Sequence, residues 1–310
     1  MDKILDSDIN RKRTLIIFSI LGIGALCVLA HFLGLTESES RTLDAFEQHQ
    51  VRFDLEVPDS NISRDIYLNL KAAIAVDNRN KDVLYCYNAT ELRAVASISK
   101  LLTAMVVIDH YQPDSILTIT KMDAKRSARS LFRTGDRARV QDFLHSALLQ
   151  SDNRSARALA RHIAGSYEKF ANLMNKKAIE IGLNNTVMFE PTGLDERNCS
   201  TAADIVRILN VIVNTYPEIS EITSKKSHRF KLLNRNKTIK LINTNKMVFS
   251  KYKVLAGKTG YIIESDYCLA TILENGEGKQ ISVVVLGSPG PQTRFREARR
   301  LANYAFKKAG

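Results

Sequence analysis

Three short polar motifs stand far apart in this chain and in a fixed order: Ser97-Ile98-Ser99-Lys100, Ser151-Asp152-Asn153 and Lys258-Thr259-Gly260. If they share one site, the fold has to bring the start of an apolar run, a polar turn and a β-rich segment to a single cleft. Taken singly they are weak, because chance alone supplies about one S-x-x-K in a chain of this length. This chain holds three, the others being Ser166-Tyr167-Glu168-Lys169 and Ser250-Lys251-Tyr252-Lys253. Local context has to choose among them.

Only the copy at Ser97 opens a strongly apolar run, Leu101 to Ile108, which reads as a buried helix starting near the serine. Residues three apart share a helix face, so Lys100 falls one turn beyond Ser97 with its amine near the hydroxyl. That is a base beside a nucleophile. Ser166 follows Gly165, precedes the amphipathic stretch Phe170 to Met174, and reads as a helix N-cap. Ser250 lies just ahead of a strand, where the spacing has no helical meaning. Arg133-Thr134-Gly135 imitates the third motif, but it precedes Ser151 and runs into Asp136-Arg137-Ala138-Arg139, read as a solvated turn. Lys258-Thr259-Gly260 instead runs into Tyr261-Ile262-Ile263, which can continue as a strand. An isolated Lys-Thr-Gly is ordinarily a surface turn; the strand and the two upstream partners make this one a site candidate.

The 310 residues are 45% hydrophobic and 25% charged, which permits one large globular domain plus extras and argues against wholesale disorder. Arg11-Lys12-Arg13 precedes Thr14 to Leu35, a stretch without Asp, Glu, Lys or Arg. As a helix it would reach about 33 Å, enough to span a bilayer. The basic cluster sets its N-terminal side in the cytoplasm and everything after Leu35 outside. Val28-Leu29-Ala30 would suit a signal peptidase, but the run is longer than the roughly 7 to 15 residues of a signal-peptide core. An uncleaved anchor in the inner membrane is therefore expected, with a cleaved signal peptide as the alternative and a periplasmic or other extracytoplasmic location either way.

Cys86, Cys199 and Cys268 are odd in number and lack C-x-x-C spacing, so neither a disulfide framework nor a metal site is expected. The six histidines lack ligand spacing, and no metal or other cofactor is expected. A net charge of +12 favours anionic surroundings. Without a nucleic-acid-binding motif or a basic stretch interleaved with aromatics, wall polymer or lipid headgroup is the expected partner and nucleic acid is not.

Along the chain, residues 1–35 read as the N-terminal signal segment, 36–68 as a polar linker with one short helix, and 69–310 as the principal domain. Lys71 to Asp77 and Asp82 to Tyr87 flank Asn78-Arg79-Asn80-Lys81 as a hairpin. Mostly helical segments follow as far as about Tyr216, including one from Val140 to Leu149 that delivers Ser151 and one from Ser155 to Ile163 that leaves it. Val254 to Ile263, Tyr267 to Leu273 and Gln280 to Leu286 read as antiparallel strands. A last helix, Thr293 to Lys307, carries an apolar stripe through Phe295, Ala298, Leu301, Ala302 and Ala305. Two strands before the helical block and three after it predict an α/β fold: one five-stranded antiparallel sheet flanked by helices, with an inserted all-helical subdomain and the active site between them.

The three ordered motifs are the signature of the penicillin-recognising serine enzymes. Together with Val95 to Met105, Phe189-Glu190-Pro191-Thr192-Gly193-Leu194, Ser200 to Asp204 and Arg294 to Ala298, they resemble the low-molecular-mass penicillin-binding proteins, serine D-alanyl-D-alanine peptidases of the S11 type, over roughly Asn69 to Phe306. Within that family the length, the N-terminal apolar segment and the end just after the last helix look most like the D-alanyl-D-alanine endopeptidases of the penicillin-binding protein 7/8 group. The resemblance implies a β-lactamase/transpeptidase-like fold, peptidoglycan cross-links as substrate and β-lactams as covalent inhibitors. It implies Ser97 as nucleophile, Lys100 as base and Ser151 as proton relay to the leaving amine. Asn153 would hold the substrate amide, and the backbone N–H groups of Ser97 and Tyr261 would form the oxyanion hole. Gly260 would let the substrate lie against the strand, while Thr259 and Arg294 would bind a peptide carboxylate; Arg294 reads equally as an exposed helix charge. Lys100 can serve as base only if partly neutral, and burial and the cation Lys258 would both disfavour its ammonium.

D-alanyl-D-alanine carboxypeptidase is the alternative activity. A class A β-lactamase would need a deacylating glutamate in E-x-x-L-N, and around Glu190 that spacing fails, since Leu194 is four residues on and Asp195 follows. An inactive penicillin-fold scaffold is the reading from outside the enzyme class, and the intact motifs speak against it.

Overall fold

Ala72-Ala73-Ile74-Ala75-Val76 is apolar without interruption, the pattern of a strand covered on both faces. In the computed structural model, which describes residues 52–58, 61, 65–125 and 130–310, it becomes β1 (Ala72–Asp77), buried from Ala72 to Val76. β2 (Val83–Tyr87) returns beside it. The short β3 (Arg93–Ala94) leads through a 3-10 turn, Ala96–Ser99, into α1 (Lys100–Asp109), whose residues are buried from Lys100 to Val107.

The inserted block follows: β4 (Ile116–Thr118), α2 (Lys121–Ala124), β5 (Arg137–Arg139), α3 (Val140–Leu149), α4 (Asn153–Ala164) and α5 (Tyr167–Glu180). Then come β6 (Cys199–Ser200), α6 (Ala202–Thr215), α7 (Pro217–Ser224), β7 (Ser227–Lys231) and β8 (Thr238–Ile242). The chain closes with β9 (Lys253–Ile262), β10 (Asp266–Glu274), β11 (Gln280–Ser288) and α8 (Thr293–Lys308).

The sheet is five-stranded in the order β2-β1-β11-β10-β9, every neighbouring pair antiparallel. The N-terminal hairpin is thus joined to the C-terminal strands by β1 against β11, with Ile74 opposite Val284. Period-two alternation divides the core into two layers. Ala72, Ile74, Val76, Val284 and Leu286 pack with α1 and the helical block. Ala73, Ala75, Val283 and Val285 pack with the Phe295, Ala298, Leu301, Ala302 and Ala305 stripe of α8.

Several readings need correction. The inserted block is not all helix: β4–β5 and β7–β8 form two-stranded ribbons within it, and β6 pairs with β3 ahead of it. Arg137 to Arg139 is therefore a strand and not part of a solvated turn, and Asp136 is buried because Arg235 closes on it with bonds of 2.7 and 2.8 Å. The compact unit begins at Val51, ahead of the expected boundary at 69, since Phe53 and Leu55 are buried in the core. The predicted membrane-spanning stretch Thr14 to Leu35 lies outside the described residues; among those that are described, no helix is long and apolar enough to cross a membrane. Ser166 does cap α5, accepting from the Lys169 N–H at 3.1 Å.

Candidate active site

The 3-10 turn Ala96–Ser99 delivers Ser97 half-buried at the head of α1, with Ala96 held at φ 47°. Lys100, one turn on, is fully buried, and its Nζ donates to Ser97 Oγ at 2.9 Å, Asn153 Oδ1 at 2.7 Å and the Thr192 carbonyl at 2.5 Å. Ser97 Oγ also donates to the Thr192 carbonyl, at 3.3 Å. One backbone oxygen therefore holds both the hydroxyl and the amine.

Ser151 follows the end of α3 in the left-handed region, φ 59°, and this bend turns the chain directly into α4. Asp152 caps α4: its Oδ1 accepts from the Ser155 N–H at 2.8 Å, while Oδ2 takes the Ser130 hydroxyl at 2.5 Å. The middle residue of this motif is thereby a structural anchor, and Asn153 is left to project from the first helical position toward Lys100. Lys258 arrives from β9, buried, and its Nζ donates to Ser151 Oγ at 3.0 Å and to the Thr259 carbonyl at 3.0 Å. The fold thus brings Ser97, Lys100, Ser151, Asn153 and Lys258 together.

Neither lysine forms an ion pair with a carboxylate among the described residues. Burial pulls Lys100 down to about 8, against Glu190 and Asp152, which favour its ammonium, and with Arg157, which disfavours it. Lys258 is held well below the usual lysine value by burial first, then by Lys100 and Arg294. Burial is the first cause at both lysines, as expected for Lys100, and the repulsion between the two cations, which is mutual, adds to it.

Gly260 needs no substrate to explain it. A β-carbon there would lie 2.7 Å from the Val95 carbonyl oxygen and 3.2 Å from the Ala96 β-carbon, so the glycine lets β9 close against the nucleophile turn. Thr259 Oγ1 lies 2.8 Å from Thr244 Oγ1. Arg294 is not an exposed charge. It is half-buried, donates to the Gly260 carbonyl at 3.0 Å and lies over the Tyr267 ring at 5.4 Å. Tyr267 in turn stacks on the exposed Tyr261, ring centroids 4.1 Å apart.

Sequence reasoning missed Thr192 and Thr244. Thr192 acts through its carbonyl, which no side-chain pattern advertises; its neighbours in Pro191-Thr192-Gly193-Leu194 were the available signal. Glu190, the candidate deacylating residue of a lactamase, is instead bonded to its own turn, accepting from the Thr192 and Leu194 N–H groups at 2.9 Å each. Among the described residues no group of three or more His, Cys, Asp or Glu is placed to hold a metal ion.

The profile of the S11 peptidases, described as D-alanyl-D-alanine carboxypeptidase, matches residues 60–290. A D-alanyl-D-alanine endopeptidase of Escherichia coli is 34% identical over 75% of this chain and 76% of its own length. The D-alanyl-D-alanine carboxypeptidase DacF of Bacillus subtilis is 30% identical over 76% of this chain and 62% of its own length. Among solved structures, penicillin-binding protein D2 of Listeria monocytogenes with cefotaxime bound superposes with a TM-score of 0.70 at 28% identity, covering 79% of this chain and all (100%) of that one. The Streptomyces K15 DD-transpeptidase gives 0.72 at 25% identity, covering 78% and 100%.

Proposed function

The chain belongs to the S11 family of D-alanyl-D-alanine peptidases and is a serine hydrolase, and from that premise we propose that it is a peptidoglycan D,D-endopeptidase that opens D-alanyl-diaminopimelate cross-links through an acyl-enzyme on Ser97. The observation that carries the chemistry is the 2.9 Å bond between Lys100 Nζ and Ser97 Oγ. A serine hydroxyl is a poor nucleophile until a neutral base accepts its proton, and burial makes Lys100 such a base near neutral pH. As Ser97 Oγ adds to the D-alanyl carbonyl carbon, its proton passes to Lys100 and the carbonyl becomes an oxyanion, for which the Ser97 and Tyr261 N–H groups are the proposed donors. Collapse breaks the C–N bond. Ser151, held by Lys258, gives the leaving nitrogen its proton and is reprotonated from the Lys100 ammonium, which becomes neutral again. Water, giving a proton to Lys100, then adds to the acyl carbon, and Ser97 leaves with that proton restored to its hydroxyl.

Asn153 would orient the substrate amide, and Thr259 with Arg294 would complete the carboxylate-binding side. For Arg294 this role is through the Gly260 carbonyl as much as through any direct contact, given the bond between them. Endopeptidase action is favoured by the endopeptidases of Escherichia coli and Pseudomonas aeruginosa, each 34% identical to this chain. We further propose residues 1–35 as an inner-membrane anchor, 36–50 as a linker and the remainder as the peptidase domain, working outside the cytoplasm on the wall. The test is a competition: with equal amounts of cross-linked muropeptide dimer and uncross-linked pentapeptide, monomers should be released from the dimer faster than the pentapeptide loses D-alanine. The reverse ranking would move the assignment to carboxypeptidase.

A further inference from the structure

The proposed chemistry gives Glu190 no task, yet both of its carboxylate oxygens are occupied. Oε2 accepts from the Thr192 N–H at 2.9 Å and the Thr192 hydroxyl at 2.6 Å. Oε1 accepts from the Gly193 N–H, from the Leu194 N–H at 2.9 Å and from the Asn198 side-chain amide at 3.3 Å. Asn198, itself fully buried, fixes the start of the turn, donating to the Glu190 carbonyl at 2.8 Å and accepting from the Phe189 N–H at 2.7 Å. Three successive amides thus converge on one carboxylate.

A trans peptide points its C=O and its N–H in opposite directions. The Gly193 N–H and the Thr192 C=O belong to the same peptide unit. With that N–H drawn to Glu190, the carbonyl has to face the other way, and there it meets Lys100 Nζ at 2.5 Å and Ser97 Oγ at 3.3 Å. We propose that Glu190 is a positioning residue for acylation, aiming the Thr192 carbonyl at the nucleophile and its base while placing a negative charge behind them. The inference rests on the reading of Ser97 as nucleophile and Lys100 as base. The charge acts in a known direction: Glu190 favours the Lys100 ammonium and partly offsets the effect of burial. Without it Lys100 would lose its proton at lower pH.

The test is the second-order rate of acylation by a fluorescent penicillin, measured against pH on the full chain for wild type, Glu190→Gln, Glu190→Asp and Ser97→Ala. Glutamine keeps the shape but sets an NH2 group against N–H donors, so the turn loses acceptors and the charge together. Its rate should fall about tenfold or more, and the alkaline rise of the profile should move to lower pH. Aspartate keeps the charge but is one methylene too short to reach the amides; its rate should fall with the rise left near the wild-type position. A Glu190→Gln protein with wild-type rate, or with a slower rate and an unmoved profile, overturns the proposal. Should Glu190→Gln fail to fold by circular dichroism, Glu190→Asp decides: slowed acylation supports the role and a wild-type rate overturns it. Labelling of Ser97→Ala would show instead that the serine assignment is at fault.

Discussion

A β-carbon built on Gly193 would lie 2.0 Å from the Ala96 carbonyl oxygen, and both residues hold left-handed backbone angles, φ +77° at Gly193 and 47° at Ala96. The turn that presents the Thr192 carbonyl and the turn that presents Ser97 are interlocked at this contact, with no room for a methyl group. Gly193→Ala should therefore cost ~3 kcal/mol or more, read from urea unfolding, and abolish penicillin labelling. Gly165 supplies the control. It has nearly the same angle, φ +75°, with nothing within 4 Å of the added carbon, so Gly165→Ala should cost only about 1 kcal/mol and keep full labelling. Equal penalties at the two positions would show that backbone angle alone, and not the contact with Ala96, sets the cost.

Of the three S-x-x-K serines only Ser97 meets the side-chain amine of its lysine. Ser166 is engaged as a cap and Ser250 donates to the Met247 carbonyl at 2.7 Å. Ser97→Ala should lose all covalent penicillin, whereas Ser166→Ala should label normally and lose about 1 kcal/mol of stability. Peptide mapping that finds penicillin on another serine would refute the assignment.

The acylation rate should rise about tenfold per pH unit below a midpoint near pH 8, the value to which burial brings Lys100. Lys100→Arg should be nearly inactive throughout, because a guanidinium stays protonated and cannot accept the serine proton. A flat wild-type profile from pH 6 to 9 would count against a lysine base.

The same lysine sets a stability window. Its folded value of about 8 lies below the ordinary 10.5, so between those pH values the unfolded chain binds the extra proton and rising pH favours the folded state. The destabilisation by the buried ammonium is fully present below about pH 8 and relieved as pH approaches 10.5. Relative to Lys100→Met, the wild-type protein should gain stability across that interval, measured as urea midpoints. A constant difference between the two proteins would contradict the burial argument.

His145 sets a second window on the acid side. It stacks on His228 with ring centroids 3.9 Å apart where α3 meets β7, and burial lowers it from 6.5 to about 4. Its neutral form is the one that packs, so stability should fall as pH drops from about 6.5 to about 4. The surrounding groups are Asp142, Glu221, Lys225 and His228, with the last also lowered by burial. His145→Phe should flatten the dependence over that range; an unchanged slope would place the acid sensitivity elsewhere.

The sheet was legible because its three inner strands, β1, β10 and β11, are runs of mostly apolar residues long enough to be covered on two faces, and the site because Ser97 stands at the head of a buried, largely apolar helix. What escaped was of two physical kinds. Thr192 contributes a backbone oxygen, and every residue has one, so its task depends on where the Glu190 carboxylate draws the neighbouring amide. Arg294 and Asp136 looked exposed because charge ordinarily is, yet each is covered once a distant segment supplies a partner: the Gly260 carbonyl in one case and Arg235 in the other. The β7–β8 ribbon is different. Thr238-Ile239-Lys240-Leu241-Ile242 alternates visibly, with Ile239 and Leu241 buried, and the signal was present but attached to no expected element.

The central strand of the sheet, β11, is the last of its five in sequence, and Ala72 waits for Leu286 before its layer can form. Neither the first hairpin nor α6, which packs against β1 and β11, has its full support until then, so the early apolar strands stay bare until β11 has been made. Contacts this distant in sequence make folding slow and leave it open to misassociation on the way. A chain cut short before Gln280–Ser288 would accordingly be no smaller enzyme with a trimmed tail, but an unclosed sheet and a substrate for quality-control proteases.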